Sequence, residues 1–200
     1  MKFFAVIFAL ASFVLANEQA SSVYKDNRDG KSYATIQIGT QTWFAENLQF
    51  DAKGSFCYGG TSSCSEKGRL YPWTVAQNAC PEGTRLPSND DFHALYAYVG
   101  VNGVRSVGNA LKSKSGWVNK ANGFDDYGFR GVPAGICEKR GKCDQEEGFL
   151  SLWTSTSAAE GKRGSQEAVA WNLYWMDEDF NKSEYEKNFA LSVRCILNTK

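Results

Sequence analysis

Residues 79–100 read ACPEGTRLPSNDDFHALYAYVG. The stretch holds Cys80, the adjacent carboxylates Asp90 and Asp91, and His93, the chain's one histidine. It is either an active site or the start of a helix. Ser88 is a good N-cap, and Asp91 three residues later completes a capping-box pattern. Pro87 and Phe92 occupy the staple positions around it. Phe92, Leu95, Tyr96 and Val99 then recur at i, i+3, i+4 and i+7, one apolar helical face, with Gly100 as the stop. Both carboxylates fall in the first turn, where the helix dipole favours negative charge. His93 flanks the apolar face one turn beyond Asp90, which suits a surface pair. The stretch reads as scaffold.

Strands surround this helix. Asp29-Gly30 marks a turn, and SYATIQIG (32–39) alternates Ala34, Ile36 and Ile38 before Gly39-Thr40 turns the chain into QTWFAENL (41–48), a hairpin. A short helix is expected from Trp73 within RLYPWTVAQNAC (69–80). Residues 101–148 lack periodicity and read as loops around a short strand near GFRGVPAG (128–135). LSLWTSTS (150–157), AVAWNLYW (168–175) and FALSVRCIL (189–197) read as strands. Val169, Trp171, Leu173 and Trp175 share one strand face, as do Phe189, Leu191, Val193 and Cys195. Hairpin, two short helices, long loops and terminal antiparallel strands define an α+β fold.

Met1-Lys2 precedes the unbroken apolar run FFAVIFALASFVLA (3–16), which is too short to span a bilayer comfortably and fits an export signal. Residues 1–16 are therefore expected to be a signal peptide, 17–22 a linker and 23–198 one domain, with no membrane span after signal removal. In an oxidising compartment six cysteines form a disulfide framework. Spacing favours Cys57 with Cys64 around YGGTSS, and Cys137 with Cys143 around EKRGK, which leaves Cys80 for Cys195. Zinc is disfavoured because no CxxC occurs and one histidine cannot complete the usual ligand sets.

Lys plus Arg and Asp plus Glu balance at 22 each, so no basic field exists to hold a nucleic acid. Neither GxSxG nor a phosphate loop is present, and the lone histidine argues against a Ser/His machine. Asp177, Asp179 and Asn181 are spaced as D-x-D-x-N, but an EF-hand loop beginning there would carry Lys182 in place of glycine and Asn188 in place of glutamate. No cofactor is assigned; an irregular calcium site remains an alternative. Asp125-Asp126, Glu146-Glu147 and Asp177-Glu178 are the carboxylate pairs a glycosidase would need. Aromatic rings beside polar groups suit sugar binding better. Trp117, Tyr174, Asp177 and Asp179 form the candidate ligand surface.

Seven segments in order, DGKSYATIQIGTQTWFAENL, CYGGTSSC, GRLYPWTVAQNACPEGTRLPSNDDF, LKSKSGW, GFDDYGFRGVPAG, LWTST and SVRC, resemble the Fibrobacter succinogenes major paralogous domain family, from about Val23 to Leu197. Thr84-Arg85 departs from the tryptophan and histidine usual there. That family is in turn similar to C-type-lectin-like and sulfatase-modifying-factor-like domains. The likeness rests on Cys80 before the Ser88 helix, the LWTST strand and Cys195 in a terminal SVRC strand. It implies a lectin-like α+β scaffold with a variable central loop surface. Trp171-Asn172 resembles the lectin tryptophan-asparagine, but Leu173 stands where an acidic ligand would be, and no EPN or QPD occurs. The expected function is a secreted or cell-surface, non-catalytic binding module for polysaccharide or envelope protein, acting in adhesion. The alternatives are a formylglycine-generating-like oxidase or glycoside hydrolase, and a structural envelope component.

Overall fold

A computed structural model describes residues 22–59, 61–102, 106–138, 142–144, 146–159 and 166–198. The expected signal peptide and most of the expected linker lie outside the described residues. The first half of the chain runs β1 (Ser22–Lys25), β2 (Ser32–Ile38), β3 (Gln41–Phe44), α1 (Thr61–Lys67), β4 (Leu70–Pro72), α2 (Trp73–Ala76), β5 (Thr84–Arg85) and α3 (Asn89–Val101). It continues with α4 (Val107–Leu111), β6 (Ile136–Cys137), β7 (Cys143–Asp144) and β8 (Phe149–Ser157). The last strands are β9 (Glu167–Tyr174), β10 (Asn181–Glu186), β11 (Ala190–Ser192) and β12 (Ile196–Leu197). Sheet dominates, and the helices are few and short.

Two sheets organise the strands. One is antiparallel in the order β1-β2-β3-β12-β5. The other runs β10-β9-β8-β11-β6-β7, with β4 also on β11, and its β11–β8 pair is parallel. Its two longest strands are buried on both faces. Val169, Trp171 and Leu173 enter one apolar cluster with Phe92, Leu95 and Val99 of α3. Ala168 and Ala170 enter the other with Trp153, Tyr71 and Leu191. The alternation expected along β9 is therefore present, but the second face, which carries Ala168 and Ala170, is covered too.

The capping box of α3 is complete: Ser88 Oγ accepts from Asp91 N at 3.2 Å, and Asp91 Oδ2 accepts from Ser88 N at 2.6 Å. Gly100 does not stop the helix, which runs on to Val101. A lone glycine lowers helix propensity by about 1 kcal/mol, and packing overrides it. The glycine-serine segment between Cys57 and Cys64 is not all turn, because α1 begins at Thr61. The loop reading of 101–148 missed α4, whose Val107, Ala110 and Leu111 are buried. The short strand expected near 128–135 reduces to isolated bridges from Gly131 to Lys112 and from Gly135 to Leu150.

The three disulfides are Cys57–Cys64, Cys80–Cys195 and Cys137–Cys143, and no cysteine is free. FALSVRCIL is not one strand. It lies in the second sheet as β11 and in the first as β12. Between them, Val193 O accepts from Leu48 N at 2.8 Å and Cys195 O from Phe44 N at 2.9 Å. Cys80 is thus bonded to the segment that joins the two sheets.

Candidate functional site

Three of the segments singled out above converge on that crossing. Arg194 is fully buried beside Asn47 of QTWFAENL and Phe129-Arg130 of the 123–135 segment. Its Nε and Nη2 donate to Asn47 Oδ1 at 3.2 and 2.6 Å. Nη1 donates to the carbonyls of Phe129 and Phe44, the latter at 3.3 Å, and Nη2 to that of Arg130 at 3.4 Å. The guanidinium carbon stands 4.5 Å from the Phe129 ring centroid. Among the described residues no carboxylate makes an ion pair with it. Burial pushes the guanidinium down to about 9, so it remains charged at neutral pH. A buried cation satisfied by amide oxygens fixes three chain segments at once.

Above this knot lies a cavity of about 240 Å³, lined by Glu46, Asn47, Ser65, Glu66, Arg130 and Val132 together with Ala45. Each wall is held locally. Glu46 and Asn47 follow β3, and Glu46 Oε1 accepts from Ala34 N at 3.3 Å. Ser65 and Glu66 follow Cys64 on α1, which its disulfide ties to Cys57. Arg130 has φ +50°, a left-handed conformation costly for a side-chain-bearing residue, and its N donates to Asp125 Oδ1 at 2.7 Å. None of these lining residues stands out in the sequence as a site residue. The motif segments contain Glu46, Asn47 and Arg130, but nothing local shows that they meet.

The expected ligand surface is placed differently. Trp117 is buried at 5% exposure, and its indole N–H donates to Ser113 Oγ and Gly131 O, both at 3.1 Å. It is a core ring, because it belongs to the apolar cluster and its edge donor is bonded. Tyr174 is half-buried, 5.5 Å edge-on from Phe149 and 6.0 Å from Trp175. Asp177 and Asp179 lie on the following turn, by a shallow recess of about 390 Å³ that includes Tyr96 and Val107. Trp117 and Asp177 do share one structural link. Lys112, also buried, lies 5.1 Å from the Trp117 ring and donates to Asp177 O at 2.6 Å. Burial pushes its ammonium pKa down, while the charges of Asp177 and Glu178 act the other way.

The D-x-D-x-N spacing serves the turn itself. Asp177 accepts from Asp179 N at 2.9 Å and from Asn181 Nδ2 at 2.7 Å. Asp179 accepts from Phe180 N at 2.9 Å and from the Tyr96 hydroxyl at 3.2 Å. Among the described residues no group of three or more His, Cys, Asp or Glu is arranged to hold a metal. His93 is exposed and meets the Trp171 ring edge-on at 5.0 Å. No ion pair joins it to Asp90. Asp91 does more than start the helix, since it accepts from Arg85 Nη2 at 2.8 Å and from Nη1 at 2.5 Å.

Fold and site together define a small disulfide-braced protein of two sheets and short helices, with a polar cavity where its loops meet. The chain belongs to the Fibrobacter succinogenes major domain family, whose family model spans residues 36–197. No curated protein and no solved structure matches it. Among the described residues no helix is long and apolar enough to cross a membrane.

Proposed function

We propose that this is a secreted or cell-surface binding protein that recognises polysaccharide without chemical turnover, on a scaffold of the C-type-lectin-like kind. One observation carries this reading: the concentration of strained backbone in the central loops. Asn119, Lys120, Asp125, Arg130 and Glu147 all have positive φ, and all fall between residues 119 and 147. Strain of this kind costs of order 1–3 kcal/mol per residue and is kept where surrounding structure over-determines it, typically at ligand sites. Here the surroundings are the Cys137–Cys143 bridge, the Arg194 knot and the contact of Val118 N with Glu147 O at 2.8 Å. A loop surface held this firmly pays little ordering entropy on contact with a chain of sugars.

Two further features support binding over the enzymatic alternatives. All six sulfurs are in bridges, which leaves no thiol pair for an oxidase of the formylglycine-generating kind. The paired carboxylates also have structural partners: Asp125 receives Arg130 N, and Glu146 pairs with Lys67 at 2.9 Å. Export supplies the oxidising compartment in which such bridges persist. The test is a pull-down of the purified, unreduced protein on cellulose and hemicellulose, with and without chelator. Retention without release of soluble sugar is the expected result. Passage through every polymer unretained, or release of reducing ends, overturns the reading.

A further inference from the structure

We propose that the cavity beside the Arg194 knot is a subsite for a single neutral saccharide unit, held by Arg130, Glu46 and Glu66; the ligand class rests on the polysaccharide-binding reading above. The floor is not available to a ligand. Asn47 Oδ1 is taken by Arg194, and its Nδ2 donates to Lys67 O at 2.9 Å. The rim is different. The five ion pairs among the described residues involve other groups, so Arg130, Glu46 and Glu66 make no direct ion pair, although the charge of Glu46 acts on the buried Arg194. Glu46 keeps one carboxylate oxygen beyond the bond from Ala34, and the Arg130 side chain is exposed. Two acceptors and one forked donor thus face a shared space on three separately braced segments.

Size and charge narrow the occupant. About 240 Å³ is below the roughly 300–1,000 Å³ of sites for drug-sized molecules, which suits one sugar ring rather than a longer ligand. Each sugar hydroxyl both donates and accepts, so vicinal hydroxyls can bridge a carboxylate and a guanidinium, and bonds to charged groups are the stronger kind. Val132 supplies an apolar wall for a C–H face. With the buried Arg194 cation below, which feels the charge of Glu46, two carboxylates balance two guanidiniums, so the site has no excess positive charge to draw uronates, sulfates or phosphates.

The test follows backbone amide signals of the labelled, unreduced protein during titration with cellobiose, xylobiose and glucuronate. The expected result is saturable shifts at residues 46–47, 65–66 and 130–132 with a neutral disaccharide and not with glucuronate. Arg130→Gln and Glu66→Gln should each weaken that response at least tenfold while leaving the rest of the spectrum unchanged. Shifts confined elsewhere, a preference for glucuronate, unaffected variants, or no response to any sugar overturn the assignment. The pull-down separates the two claims. Variants retained on polymer as well as the parent protein preserve the binding reading and remove the cavity from it. Saturation at the cavity by a soluble sugar with no polymer retention does the reverse.

Discussion

Removing the bridge between Cys80 and Cys195 should unfold the protein far more easily than removing either local bridge. The three bridges close segments of 115, 7 and 6 residues. In the chain-entropy account the long closure is worth about 5 kcal/mol at 25 °C and the short ones about 2 kcal/mol each. The Cys137–Cys143 pair is a close control, because each of the two bridges joins one fully buried cysteine, Cys195 or Cys137, to a half-buried one. Loss of packing is then similar, and the difference of about 3 kcal/mol reports loop length. Alanine rather than serine avoids burying a hydroxyl. With a guanidinium m-value of about 4 kcal/mol/M, the Cys80→Ala/Cys195→Ala midpoint should lie about 0.7 M below that of Cys137→Ala/Cys143→Ala. Equal midpoints would refute the claim that this bridge restrains the unfolded chain and ties the region before α3 to the sheet crossing.

Arg194→Met removes the donor for Asn47 Oδ1 and Phe129 O, and two buried acceptors left unsatisfied cost about 3–5 kcal/mol together; a loss below about 1 kcal/mol in denaturant melts would show the knot to be dispensable. Burial alone would raise the Asp91 carboxyl, but hydrogen bonds from Arg85 and Ser88 lower it to about 2 from an ordinary 3.8. A depressed carboxyl contributes stability above its unfolded value, lost as pH falls through the folded one. Thermal melts from pH 5 to 2 should therefore drop less steeply for Asp91→Asn than for the parent, and parallel curves would exclude the linkage. A Cβ on Gly108 would stand 2.4 Å from Asp179 O and 2.5 Å from Glu178 O. Gly108→Ala should cost about 1–3 kcal/mol by driving α4 off the 177–180 turn, and a neutral melt would mean that contact yields freely.

Some local signals are directly legible in the sequence, although Gly100 shows that a local stop signal can be overridden by packing. The α3 cap lies within four residues, so Ser88 and Asp91 show it directly. Strand β9 is visible in its alternation of Val169, Trp171 and Leu173, and β8 in the strand-like run LSLWTSTS. The short bridges were visible because cysteines six or seven residues apart have few other options. Failures came where packing replaces periodicity. Five residues of α4 are too few to display a helical repeat, and Trp117 in a loop-like segment gives no sign of the Ser113 and Gly131 groups that hold it inside.

By itself, then, the sequence determined the α+β composition, the Ser88 helix, the oxidised framework and the family, because caps, strand alternation and short loop closures act over a few residues. Tertiary structure alone decided that the last strand changes sheets, that a buried cation bonded to amide and carbonyl oxygens sits at the change, and that Glu46, Glu66 and Arg130 share a rim. Those contacts join segments far apart in the chain; Arg194 and Asn47 are 147 residues apart. Distance along the chain carries no record of which polar groups will be left to satisfy one another once two apolar layers close.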